Sequence, residues 1–100
     1  MLDQKQTDAQ KWIHKSGQQV GIWPNRVKGG YVPRFYVNDY ITKSGKKHSQ
    51  RSYGTWPTAK EAKIFCDRVC NLLTAETAGK EKIVTAIVKT LKAEDANGKG

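Results

Sequence analysis

The sequence predicts an α+β domain: a three-stranded antiparallel β-sheet packed on one face by an amphipathic α-helix, plus a C-terminal helix and a short N-terminal extension. Three observations lead there. Tyr31 to Thr42, YVPRFYVNDYIT, is dense in aromatic and β-branched residues whose character alternates, the period-two pattern of a half-buried strand. Two glycine-bearing turns, Lys28-Gly29-Gly30 and Lys43-Ser44-Gly45-Lys46, bracket it. After Gly54 the apolar residues switch to a helical period behind a helix-start signal.

Taken in order, residues 1–18 are mostly polar and form the extension, in which Asp8 to His14 could make a short helical turn anchored by Trp12 and Ile13 and closed by Gly17. The sheet-and-helix domain spans residues 19–76. Val20 to Trp23 is its first strand, interrupted by Pro24 and Asn25. In the second strand, alternation sets Phe35, Val37 and Ile41 on one face against Arg34, Tyr36, Asn38 and Tyr40 on the other. Pro33 has no N–H for a ladder, so it belongs near the strand's start or on an unpaired side. Lys47 to Tyr53 returns as a polar third strand that Gly54 ends.

Thr58 followed by Glu61 is a capping box, in which hydroxyl and carboxylate satisfy amide groups at a helix start, and Pro57 discourages an earlier one. Ala62, Phe65, Cys66, Val69 and Leu72 or Leu73 then recur at helical spacing. Three strands cannot bury an apolar face alone, and this stripe supplies the cover. Beyond Gly79, Glu81 to Lys92 repeats the amphipathic pattern with Ile83, Val84, Ile87, Val88 and Leu91, giving a C-terminal helix within residues 77–93. Residues 94–100 are expected to fray as a flexible tail.

One hundred residues make one domain with tails. No run of 18 or more apolar residues exists to span a membrane, and the amino terminus lacks the apolar core of a secretory signal. Cys66 and Cys70 would share a helix face without disulfide geometry, as small thiols do in a reducing, intracellular compartment. A zinc site needs about four ligands, and only His14 and His48 remain, so neither metal nor cofactor is expected.

Charge is the informative total. The chain has 18 Lys and Arg against 9 Asp and Glu, and the excess is concentrated. Between residues 15 and 57, Lys15, Arg26, Lys28, Arg34, Lys43, Lys46, Lys47 and Arg51 face Asp39 alone. A block of one sign repels itself and fits a polyanionic partner.

The outward face collects the residues that a core does not explain. Arg34, Tyr36 and Asn38 come from the second strand, and His48, Gln50 and Ser52 from the third. Trp23 comes from the first strand, with Asn25, Arg26 and Lys28 just beyond and Lys46 and Lys47 at the hairpin tip. Together they join cations for phosphates, amides for base edges and rings for stacking. No paired carboxylates, GxSxG, HExxH or phosphate-loop pattern is present, so the chain is expected to be non-enzymatic.

The order strand, strand, strand, helix, with GIW, GGYVPRFYV and RSYGTWPTAKEAKIFCDRV, resembles the Apetala-two/ethylene-response-factor DNA-binding domain of plant regulators, in the divergent form found in apicomplexans. The resemblance covers about residues 19–73 and is strongest at the GTW turn followed by TAKEA and Phe65. It implies DNA binding in the major groove through the outer face of the sheet, as in transcription factors, with Trp23, Asn25, Arg34, Tyr36, Gln50 and Ser52 in the contacting positions. Plant members carry arginine or tryptophan at most of these positions, and this chain has only Arg34 and Trp23 of that kind. Integrase amino-terminal arm-binding domains have a similar layout.

Two further expectations stand beside a nuclear DNA-binding regulator. A small basic domain also suits a structural RNA-binding subunit of a ribonucleoprotein, such as an organelle (mitochondrial) ribosome. The C-terminal helix could also offer Ile83, Ile87 and Leu91 to a protein partner.

Overall fold

A computed structural model describes residues 10–98. The chain runs β1 (Gln10–Ile13), β2 (Gln19–Pro24), β3 (Tyr31–Ile41), β4 (Lys47–Ser52), α1 (Ala59–Cys70) and α2 (Glu81–Gly98). The strands make one antiparallel sheet in the order β1-β2-β3-β4. The sheet therefore has four strands where three were expected.

The extra strand replaces most of the expected N-terminal helical turn, whose first residues, Asp8 and Ala9, lie outside the described ones. Its cause is local. Gln10-Lys11-Trp12-Ile13 alternates, and pairing with β2 sets Trp12 opposite Val20, where the indole packs against the core. The turn that returns the chain is the twin of the one joining β3 to β4. His14 N–H donates to Gln18 O (2.9 Å) and Gly17 N–H to His14 O (2.8 Å); Thr42 N–H donates to Lys46 O (2.9 Å) and Gly45 N–H to Thr42 O (2.8 Å). Each encloses Lys-Ser-Gly, and its glycine takes a positive φ, 95° at Gly17 and 87° at Gly45, as a three-residue hairpin loop requires.

The register sorts side chains to two sides. Trp12, Val20, Phe35 and Arg51 are mutual partners across all four strands, and Ile22 pairs with Pro33 in the neighbouring row. Val20, Ile22 and Phe35 join Ala62, Phe65, Cys66, Val69 and Cys70 of α1, Leu73 beyond it, and Val84, Val88 and Leu91 of α2 in one buried cluster. Phe35 meets Tyr53 edge-on at 5.7 Å, and Trp56 stacks on Phe65 at 4.4 Å. Of the two leucines that the helical pattern left open, Leu73 is buried and Leu72 is exposed. Pro33 sits where its missing N–H costs nothing. Tyr31 bonds Trp56 on the β4 side of β3, alternation turns Pro33 the same way, and the β4 ladder begins only opposite Arg34.

Ile41 is a correction. It is 62% exposed, because the register shifts between Tyr36 and Tyr40 and the hairpin beyond runs past the helices.

Thr58 caps α1 as its sequence implies, its side chain accepting from Glu61 N–H at 3.1 Å. The start of α2 takes its acceptor from the sheet: Glu81 N–H donates to Asp39 Oδ1 at 2.8 Å. α2 also continues past the expected end of its apolar pattern, so residues 94–98 are helical, and 99–100 lie outside the described residues. The physical reason is a bidentate pair, Arg68 donating to both carboxylate oxygens of Asp95 at 3.0 and 3.1 Å, which ties the last turns of α2 to α1. The α2 stripe is largely used within the fold: Leu91 is buried and Ile87 packs on the core, so the surface once expected for a protein partner reduces to Ile83.

Polar groups fix the seams. Gln18, 1% exposed, donates to Tyr36 O (2.7 Å) and Gln19 O (2.9 Å) and accepts from Gly79 N–H (2.7 Å). Arg51 donates to the buried carboxylate of Glu81, and its guanidinium lies over the rings of Tyr40 (4.6 Å) and Tyr53 (5.4 Å). The Tyr53 hydroxyl shares a 2.7 Å hydrogen bond with Thr85.

Two outcomes test this arrangement. Trp12→Ala should cost about 2 kcal/mol in denaturant unfolding, less than a fully buried Trp because the ring is half-buried; a change within a few tenths would mean that β1 contributes nothing. Cys66 and Cys70 are free and buried, and desolvation is the main cause that pushes both thiols up, Cys70 to about 12. Both should resist alkylation in the native protein and react once it is unfolded, as a thiol count with and without denaturant would read. Above pH 9 the thiols ionise in the unfolded chain but not in the folded one, so stability should fall as pH rises.

Candidate nucleic-acid interface

The side of the sheet away from the core is built by the same alternation. Arg34 pairs with Gly21 on one side and Ser52 on the other, Gly21 pairs with Lys11, and Tyr36 pairs with Gln50. These residues share a face with Trp23 and Val32, which pair with each other, and with Ile13 of β1. His48 falls on this side of β4 by alternation with Gln50 and Ser52.

Arg34 is held on this face by two side-chain contacts. Its guanidinium lies 4.9 Å from the centroid of the Trp23 ring, and Nη1 donates to Gln50 Oε1 at 3.4 Å. Trp23 can serve as that perch because residue 21 is glycine. A Cβ there would come within 2.3 and 2.5 Å of the indole, so the ring occupies the space above the Gly21 backbone. Backbone, indole, guanidinium and amide thus form one chain of contacts that fixes where the remaining Arg34 donors point. Trp23 is half-buried beneath a cation, which makes it a support rather than a free platform for bases.

The expected contact residues fall into three groups. Trp23, Arg34, Tyr36, His48, Gln50 and Ser52 come together on the open face. Asn25, Arg26 and Lys28 lie in the β2–β3 turn at one end of the sheet, and Lys46 and Lys47 lie at the β3–β4 hairpin at the other. Asn25 spends its side-chain oxygen on the turn, accepting from Val27 N–H (3.1 Å) and Lys28 N–H (3.0 Å). Lys47 pairs with Ile41 and so points to the opposite side of β4 from His48.

Asn38 is a correction. The bulge takes it out of the alternation, its N–H donates to Gly79 O at 2.8 Å, and its side-chain amide lies against Gly79, at the approach to α2. Sequence reasoning also missed Lys11 and Ile13, which β1 adds to the open face, Ile13 being 67% exposed. The repeated Lys-Ser-Gly was the available signal for both.

Electrostatics sharpen the contrast between the two sides. Asp39 is the only carboxylate in the four strands, and it is turned to the start of α2. Arg51, counted with the basic block by sequence, is used inside the fold by Glu81. The open face keeps Lys11 and Arg34 with no acid among its described residues, and the cations of both sheet ends flank it. Among the described residues, no helix is long and apolar enough to cross a membrane. No family model, curated protein or solved structure matches this chain.

Gly21→Ala should test the perch directly. The new methyl group must push the Trp23 ring away, at a cost of about 1–3 kcal/mol in unfolding free energy and with a change in tryptophan emission. A variant with wild-type stability and emission would show that the ring does not rest there.

Proposed function

We propose that this protein is a non-enzymatic nucleic-acid-binding domain that lays the open face of its sheet into the major groove of double-stranded DNA. The observation that carries it is the assembly of Arg34, Trp23, Gln50, Tyr36 and Lys11 on one acid-free face whose reverse is committed to the core. Arg34 is held by Trp23 and Gln50, so it meets a base edge without first losing the freedom of a long side chain. Gln50 and Tyr36 border it as hydrogen-bonding neighbours, while the cations at both ends supply phosphate contacts that position without specifying. The likeness to plant ethylene-response regulators belongs with this proposal and supports the same surface.

Width decides how the face sits. Three strand spacings of about 4.8 Å span about 14 Å, whereas the major groove is about 12 Å wide. β2, β3 and β4 enter, and β1 rides on the groove wall with Lys11 against phosphates. The same width favours a second reading, a structural RNA-binding subunit, since the minor groove of A-form RNA is wide and shallow.

Arg34→Ala should weaken binding to a selected duplex by about 1–3 kcal/mol and relax preference at one base position. A competition at fixed salt between random duplex DNA and structured RNA separates the two targets, because salt alone moves such affinities by orders of magnitude. RNA winning that competition would remove the DNA reading, and an Arg34→Ala variant with unchanged affinity and preference would remove Arg34 as the reader.

A further inference from the structure

The β3–β4 hairpin leaves the body of the molecule. From Ile41 to Ser49 every residue except Thr42 is exposed, on both sides of the ribbon. A sheet end packed beneath the helices would have buried Ile41; here it is 62% exposed. The ribbon carries Lys43, Lys46, Lys47 and His48, and no carboxylate occurs between Tyr40 and Lys60.

Its base is fixed rather than loose. The register shift between Tyr36 and Tyr40 bends β3 where the hairpin departs. At that bend Asn38 N–H bonds Gly79 O (2.8 Å) and Asp39 Oδ1 accepts Glu81 N–H (2.8 Å), fastening the bulge to the start of α2. Farther out, Tyr40 stands between the His48 ring (5.9 Å) and the Arg51 guanidinium (4.6 Å), which is itself bound to Glu81. Thr42 Oγ1 accepts from Lys46 N–H at 3.1 Å and closes the tip.

We propose that this hairpin is an arm that grips the phosphate backbone bordering the groove in which the open face lies, a sequence-blind contact separate from the base-reading row at Arg34. This rests on the duplex-DNA reading above. Reach supports it: Ser52, the partner of Arg34, lies six residues from Lys46, about 20 Å along a strand. With the strands lying along the groove, that reach carries the tip beyond the base pairs beside Arg34, where the phosphates of the bordering backbone are what it can meet. Lysine suits that place, since it supplies a compact point charge where bidentate geometry is not needed.

The test uses the full chain with Lys43, Lys46 and Lys47 all changed to Gln, titrated with random-sequence duplex DNA and with the selected duplex over a range of salt. Each lost phosphate contact lowers the slope of log K against log salt by about 0.9, so the triple variant should lose about 2–3 from the wild-type slope. Its base preference in a selection and its thermal unfolding midpoint should stay at wild-type values, because the tip touches no core residue. Arg34→Ala should show the opposite split, altered preference with a slope lowered by about 1 at most. A triple variant with the wild-type slope overturns the arm, which is then an ordinary lysine-rich turn; one with altered preference overturns its sequence-blindness. If the wild-type chain itself binds structured RNA but not duplex DNA, the parent reading fails, and the arm falls with it for a reason distinguishable from either.

Discussion

A strand has two sides and no third, and β3 is where that constraint governs this molecule. Pro33, Phe35 and Val37 are buried on the core side, so Arg34 and Tyr36 between them have nowhere to go but out. A one-residue slip against β2 would turn Arg34 toward the apolar cluster that contains Phe65, Val69 and Val88, where burying its charge is costly. The apolar side therefore holds the polar side in register. The quality of the outer surface is a by-product of how firmly the inner one is packed.

The helices do more than cover. α1 brings its stripe across β2 and β3, and α2 fastens the bulged end of the sheet through Asp39 and the β4 edge through Arg51. Glu81 is nearly buried, and its charge is tolerable only because Arg51 lies against it. Gln18 works in the same way at the other seam, where one side-chain amide satisfies groups from β2, β3 and the connection between the helices. The polar anchors stand at the places where a segment could otherwise peel from the sheet.

Much of this was legible in residue order, and the misses have physical causes. The alternation of Arg34, Phe35, Tyr36 and Val37 and the cap at Thr58 are signals between neighbours, and both read correctly. β1 was missed because four residues with one half-buried side chain carry almost no periodicity. The only trace was Lys-Ser-Gly at 15–17, the same tripeptide that closes the β3–β4 hairpin. Asn38 and Ile41 were misplaced because a bulge leaves no mark in an alternating string. Gly21 under Trp23 depends on which way the indole folds back along its own strand, and Arg51 turned to Glu81 rather than to solvent is a contact between residues 30 apart in sequence.

Each strand pairs with the strand that follows or precedes it, and no connection crosses over another. The chain can thus assemble the sheet by successive closures of five or six intervening residues, each entropically cheap. The contacts of long sequence separation, Gln18 with Gly79 and Asp39 with Glu81, arise only when the last third of the chain arrives. A meander of this kind keeps its strand pairing local in the chain and leaves its locking bonds to residues 42 and 61 positions away, so pairing costs little loop entropy and locking costs more.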